Sequence, residues 1–295
     1  MPNNNIPEEA FDWYDEYAHG GMDRRTFMKK LTGLVALGYS MSVLTSVLLP
    51  NYVLAEQVSF NDSDIKASYE NFPSPQGYGE GRGYLVVPNE SKKKMPVVLV
   101  VHENRGLNPY IKDVARRLAK AGFIAFAPDA LFPLGGYPGN DDEGRAMQKI
   151  LEREKIQHDF VAAAKFIKSD SRSNGKLGCI GFCFGGYIVN HLAAVDSNLI
   201  DAGVPFYGTP ATKVLRKNIK APLMIQLGEL DKRVNASWSE YEADLIANNV
   251  DYVMHMYKNA KHGFHNDSTG RYDKENAELA WSRSLAFFES KLILR

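Results

Sequence analysis

The sequence predicts an α/β chain with a mostly parallel central sheet and helices on both faces, a three-layer sandwich. Residues 97–101 (VVLVV) form an unbroken apolar run, mostly β-branched, the pattern of a strand buried on both faces. Similar short runs recur at 123–127, 176–182, 202–206, 223–227 and 252–257. Between them lie stretches with helical spacing, and repeated strand–helix units of this kind build parallel sheets.

The elements follow in order. Residues 84–88 (YLVVP) read as a strand, and Ser91-Lys92-Lys93-Lys94 as a turn before the 97–101 strand. Residues 110–120 form a helix with Val114 and Leu118 on one side and Arg116, Arg117 and Lys120 elsewhere, ended by Gly122. A loop rich in glycine and proline covers 135–140. It lacks the Gly-Lys-Ser/Thr ending of a phosphate loop. One long helix is expected over about 143–168, and shorter ones over 185–195 and 238–249. An amphipathic helix over 276–292 ends the chain.

The chain has 295 residues, 44% of them apolar and 24% charged, which is ordinary for a globular protein and enough for a core without disulfides. Thirty-five basic and thirty-five acidic residues cancel, so no bulk field draws the chain to nucleic acid. Two cysteines make no disulfide framework.

Residues 1–55 differ from the rest. An uncharged, mostly apolar run spans 31–49 and follows Asp23-Arg24-Arg25-Thr26-Phe27-Met28-Lys29-Lys30. Paired arginines, an apolar residue, lysines and a mildly apolar stretch resemble a twin-arginine export signal, with Val53-Leu54-Ala55 as a cleavage site. Export to the periplasm is the expectation. The alternative is a retained N-terminus in a cytoplasmic or membrane-associated protein, with membrane contact only through 31–49. The acidic, aromatic segment 8–15 (EEAFDWYD) supports that alternative, as a helix docked on its own domain or on a partner.

The sharpest chemical signal is Gly181-Phe182-Cys183-Phe184-Gly185-Gly186 between a strand and a helix. It has the form of the Gly-x-Ser-x-Gly nucleophile elbow with cysteine in place of serine. The nucleophile of such an elbow takes a strained backbone, and side chains at the flanking glycines would strike the crossing chain. The helix that follows aims N–H groups at the sulfur and favours a thiolate. Gly228-Glu229-Leu230-Asp231 and Lys261-His262-Gly263-Phe264 each follow an apolar strand. An aspartate in a turn or a lone histidine is ordinarily bland. Here they come in the order nucleophile, acid, base that an α/β-hydrolase fold requires. Cys183 would attack an acyl carbon, His262 move the proton, and Asp231 orient the imidazole. The oxyanion would be held by the backbone N–H of Phe184 and that of Asn104. Cys179 reads as core. His262 and His265 lack a partner at ligand spacing, so no metal and no cofactor is expected.

With His102-Glu103, these motifs resemble the dienelactone hydrolase (carboxymethylenebutenolidase) family across nearly all of residues 58–294, giving one α/β-hydrolase domain over 56–295. The resemblance implies a small ester or lactone substrate and a resting thiol whose proton Glu103 takes when substrate arrives. It also implies arginines that hold a substrate carboxylate, but the matching stretches here, 129–133 (DALFP) and 265–267 (HND), carry none. A substrate carboxylate is therefore not expected to be required. Arg105, Arg145 and Arg271 are the possible substitutes, and Arg105, Tyr137 and Phe264 the candidates for the substrate pocket. The rival readings are a general carboxylesterase, thioesterase or peptidase on the same site, or a non-catalytic binding protein that kept the fold. The sequence does not specify an oligomeric state.

Overall fold

The structure, a computed structural model, describes residues 6–89 and 93–293. Part of the expected 91–94 turn lies outside them. Eight strands form one sheet: β1 (Ile65–Ser74), β2 (Gly79–Pro88), β3 (Met95–Val101), β4 (Ile124–Pro128), β5 (Ser173–Phe182), β6 (Ala202–Phe206), β7 (Leu223–Gly228) and β8 (Tyr252–Tyr257). Their order is β1-β2-β4-β3-β5-β6-β7-β8. β1 and β2 run antiparallel at one edge, and β4 through β8 pair in parallel. β1 was not expected: half of its residues, IKASYENFPS, are polar and most are exposed, as an edge strand can be.

Both sheet faces are covered. One carries α5 (Pro109–Lys120) and α11 (Lys274–Leu292), with Ile111, Val114, Leu118, Phe287 and Phe288 packed on Val98, Val100 and Ile180. The other carries α7 (Arg153–Lys168), α8 (Phe184–Val195) and α10 (Trp238–Ala247), with Phe160, Ile188, Leu192 and Tyr241 packed on Val97, Leu99 and Val101. The alternating side chains of β3 thus feed both cores, and all of Val97–Val101 is buried. α5 starts as its sequence dictates: Asn108 accepts the N–H of Ile111, and Pro109 fills the first turn.

The single helix expected over 143–168 is two, α6 (Asp141–Ile150) and α7. The break has no glycine or proline. Leu151 is extended (ψ 142°) and turns into the wall of the cavity above Cys183, so packing overrides helical spacing there.

The N-terminal segment folds as helices: α1 (Glu8–Ala18), α2 (Arg24–Ala36), α3 (Met41–Leu48) and the short α4 (Tyr52–Ala55), which contains the expected cleavage site. The uncharged 31–49 run is not one helix. Gly38 is left-handed (φ 100°), and the N–H groups of Gly38 and Tyr39 bond back to the carbonyls of Val35 and Leu34. This is a Schellman stop that ends α2. Among the described residues no helix is long and apolar enough to cross a membrane. Tyr14, Tyr17, Phe27, Leu31, Leu34, Leu44 and Val47 make a separate small core, with Tyr17 stacked on Phe27 at 4.8 Å.

Candidate active site

The C-terminal ends of β3, β5, β7 and β8 deliver the site, where parallel sheets place their ligands. Cys183, between β5 and α8, has φ 56° and ψ −111°, a conformation that side-chain-bearing residues avoid. Its neighbours make that turn possible. A Cβ on Gly181 would collide with the backbone of Gly185, and one on Gly185 with the carbonyl of Val101. Asp231 follows β7. One of its oxygens accepts the N–H of Val234 (3.1 Å) and so caps the short α9 (Lys232–Asn235), and the other accepts from Nδ1 of His262 at 2.5 Å. His262 follows β8, and its Nε2 is buried without a hydrogen-bond partner. The Cys183 sulfur and a ring nitrogen of His262 lie within 4.8 Å of each other.

These groups tune one another. Burial alone would raise the Cys183 thiol, but the charges of His19 and His262 and the hydrogen bond with His19 pull it well below its usual range. Burial alone would lower His262, but Asp231 and the sulfur raise it to about 10. Asp231 is held below the usual carboxylate range despite burial, chiefly by His262. A thiolate–imidazolium pair is the favoured state.

A cavity of about 460 Å³ opens above the sulfur, lined in part by Cys183, Asn104, Phe184, Tyr187, Tyr207 and Arg233. Asn104 and Phe184, the expected oxyanion donors, therefore flank the nucleophile. Glu103 is buried beside the elbow and accepts from Nδ2 of Asn266 at 2.9 Å; burial pushes its carboxyl up. The group against the sulfur is not Glu103 but His19, whose Nε2 lies 3.2 Å from Sγ.

His19 was not foreseen. The N-terminal segment crosses the mouth of the site, with Asn104 Nδ2 donating to the Ala18 carbonyl (2.8 Å) and Arg145 Nη1 to the Tyr17 carbonyl (2.6 Å). Asp15 pairs with Arg271 at 3.2 Å and with Nδ1 of His19 at 3.3 Å. Nothing local in the sequence marks His19, because its contact with Cys183 joins positions 164 apart.

The three residues expected in the substrate pocket, Arg105, Tyr137 and Phe264, do not line the cavity above Cys183. Phe264 is fully buried between Phe206, Tyr207 and Tyr257 and does not face the cavity. Arg105 is spent on Asp141 (2.8 Å), and Tyr137 donates to the same carboxylate (2.9 Å), in a separate cleft against Tyr14 and Tyr17. Of the three arginines offered as substitutes, Arg145 and Arg271 hold the N-terminal segment. The cations that do line the cavity are Lys149, Arg153 and Arg233. Cys179 is fully buried in β5, and burial pushes its thiol far up, as expected of core.

A strained cysteine at an elbow, with a carboxylate-anchored histidine at the sheet's C-terminal edge, defines an α/β-hydrolase. The comparisons narrow the class. The model of the dienelactone hydrolase family matches residues 82–292, and that of a YqhI-like family matches residues 1–35. The chain belongs to the dienelactone hydrolase family and is a hydrolase of the ester- and lactone-cleaving kind. It is 63% identical to "Putative hydrolase fragment YghX" of Escherichia coli over 37% of this chain and 93% of that one. To "Putative carboxymethylenebutenolidase" of Aquifex aeolicus it is 35% identical over 72% of this chain and 94% of the relative. The crystal structure titled "Putative Dienelactone Hydrolase" from Klebsiella pneumoniae superposes with a TM-score of 0.65 at 25% identity, covering 76% of this chain and 98% of that one.

Proposed function

We propose that the protein hydrolyses a small ester or lactone through a Cys183–His262–Asp231 triad and an acyl-cysteine intermediate. The observation that carries this is the left-handed Cys183 at the elbow, facing a histidine whose other nitrogen is held by Asp231 at 2.5 Å. The thiolate attacks the acyl carbon, and the carbonyl oxygen becomes an oxyanion held by the N–H groups of Phe184 and Asn104. Imidazolium His262 then gives its proton to the departing alkoxide oxygen as the C–O bond breaks. Neutral His262 next takes a proton from water, the hydroxide oxygen bonds to the thioester carbon, and the acid leaves as the C–S bond breaks. Asp231 keeps the His262 tautomer that presents Nε2 to the sulfur. Glu103, its carboxyl raised by burial, would take the proton of a protonated thiol only after turning from Asn266 to the sulfur.

Lys149, Arg153 and Arg233 give the cavity a cationic wall, which fits an acyl group or leaving group that carries an anion. The test is a panel of lactones and esters hydrolysed by wild type and Cys183→Ala. Loss of turnover by orders of magnitude in a folded variant supports the assignment, and retained turnover refutes it.

The N-terminal segment also fits an export signal of the twin-arginine kind. Arg24 and Arg25 are both exposed at the start of α2, where a receptor could read them on the folded chain. Arg24→Lys with Arg25→Lys should then trap full-length protein in the cytoplasm, and mature protein should begin near Glu56, a form from which His19 is lost and whose site keeps only Cys183, Asp231 and His262. Intact residues 1–10 on protein taken from the periplasm would contradict cleavage.

A further inference from the structure

His19, Cys183 and His262 each present one ligand atom, and the three atoms lie within 4.8 Å of one another, with His19 Nε2 at 3.2 Å from the sulfur. Three ligands around a tetrahedral zinc ion, with bonds of about 2.0–2.3 Å, stand about 3.3–3.6 Å apart. The set needs a contraction of at most about 1.5 Å on the His262 side.

Both histidines are already oriented for it. His262 spends Nδ1 on Asp231, and His19 spends Nδ1 on the Asp15 carbonyl at 2.8 Å, so each has Nε2 free to face the sulfur. A metal-bound histidine ordinarily has its second nitrogen held by a carboxylate or a backbone carbonyl, and one of each is present here. Nε2 of His262 is buried and has no hydrogen-bond partner, which is costly for a polar atom unless something occupies it.

We propose that these residues form a site for a thiophilic divalent cation, Zn²⁺ by the chemistry of two imidazoles and a thiolate, with the fourth position open to the cavity. Binding forms one Zn–S and two Zn–N bonds and releases to solvent the proton that Cys183 and His262 share, from Nε2 of the imidazolium in the resting pair or from the thiol where sulfur is protonated. Arg233 Nη2, 3.1 Å from His19 Nε2 and 3.4 Å from Nδ1 of His262, must swing away. Its side chain is exposed and free to do so. The bound ion ties the N-terminal segment to the nucleophile. That consequence, a silent metal-bound form, rests on Cys183 being the nucleophile; the site itself does not.

The test is a titration of the full chain with Co²⁺ and then Zn²⁺, without substrate. One equivalent of Co²⁺ should give the near-ultraviolet thiolate band and the intense visible bands of a tetrahedral site, and Zn²⁺ should displace both. Cys183→Ser should lose the thiolate band, while Cys179→Ala keeps it. His19→Gln and His19→Ala should each weaken binding about tenfold or more, the loss that even an outer-shell change brings. Absence of the thiolate band in wild type, or binding within about twofold of wild type in both His19 variants, overturns the site. Turnover measured in chelator reports on the triad separately, so the failure of one reading leaves the other standing.

Discussion

Asp231→Asn is the most informative change to the charge network. In the folded protein His262 rises from 6.5 to about 10. A rise of that size favours the imidazolium by roughly 5 kcal/mol, shared between Asp231 and the sulfur. Asparagine keeps the shape but removes the charge and presents either oxygen or N–H to Nδ1. If Asp231 carries about half, His262 falls by roughly two units, and the Cys183 thiol climbs because its cationic partner is weakened. The assay is the alkylation rate of Cys183 by iodoacetamide across pH, with the core Cys179 as an internal unreactive control. Wild type should alkylate at a nearly constant rate through the neutral range. In Asp231→Asn the midpoint should move up by about one to two units, and turnover should drop by about 10⁴. An unmoved alkylation profile would refute the thiolate–imidazolium account, whatever happened to turnover.

Three further outcomes are expected. Gly185→Ala drives a Cβ into the Val101 carbonyl and should cost about 2–4 kcal/mol of stability, read as a lower Tm, with turnover lost together with the elbow geometry. Arg233→Ala should lower kcat/KM for a carboxylate-bearing ester about fivefold relative to its neutral amide, the modest worth of an exposed cation; an unchanged ratio removes Arg233 from substrate recognition. The stability contributed by His262 should be fully present below about pH 6.5, its ordinary value, and be lost as pH rises through about 10. Chemical denaturation of wild type and His262→Gln across that window should converge at the alkaline end, and a constant difference would contradict the raised value.

The parts of this molecule legible in the sequence are those written in local pattern. The buried β3 run, the strand–helix alternation and the glycines around Cys183 each follow from periodicity or from a clash that only glycine avoids. Cys183, Asp231 and His262 were legible because strand order fixes where their loops emerge, and the fold brings all three to one edge of the sheet. β1 was invisible because an exposed edge strand needs no apolar alternation. The break at Leu151 escaped because its cause is a cavity wall, not a helix breaker.

The pocket was misread for a related reason. Side-chain direction is set by packing that local pattern does not show, so Arg105 and Tyr137 turned to Asp141 while Arg233, two residues past the acid, faced the cavity. His19 lay hidden most deeply. A segment with the composition of a leader gave no sign that one histidine would cross to the nucleophile, and only the packing of α1 against Asn104, Arg145 and Arg271 places it there.

The central claim is that Cys183 carries the acyl group. A single turnover with an activated ester, quenched in acid and digested, tests it by the mass of the peptide that contains Cys183. The account predicts one acyl group on that peptide, on the sulfur and removable by hydroxylamine, and its accumulation in His262→Gln if attack outpaces deacylation. An acyl group on any other residue, or full turnover with no acyl-peptide at any time point, would contradict it.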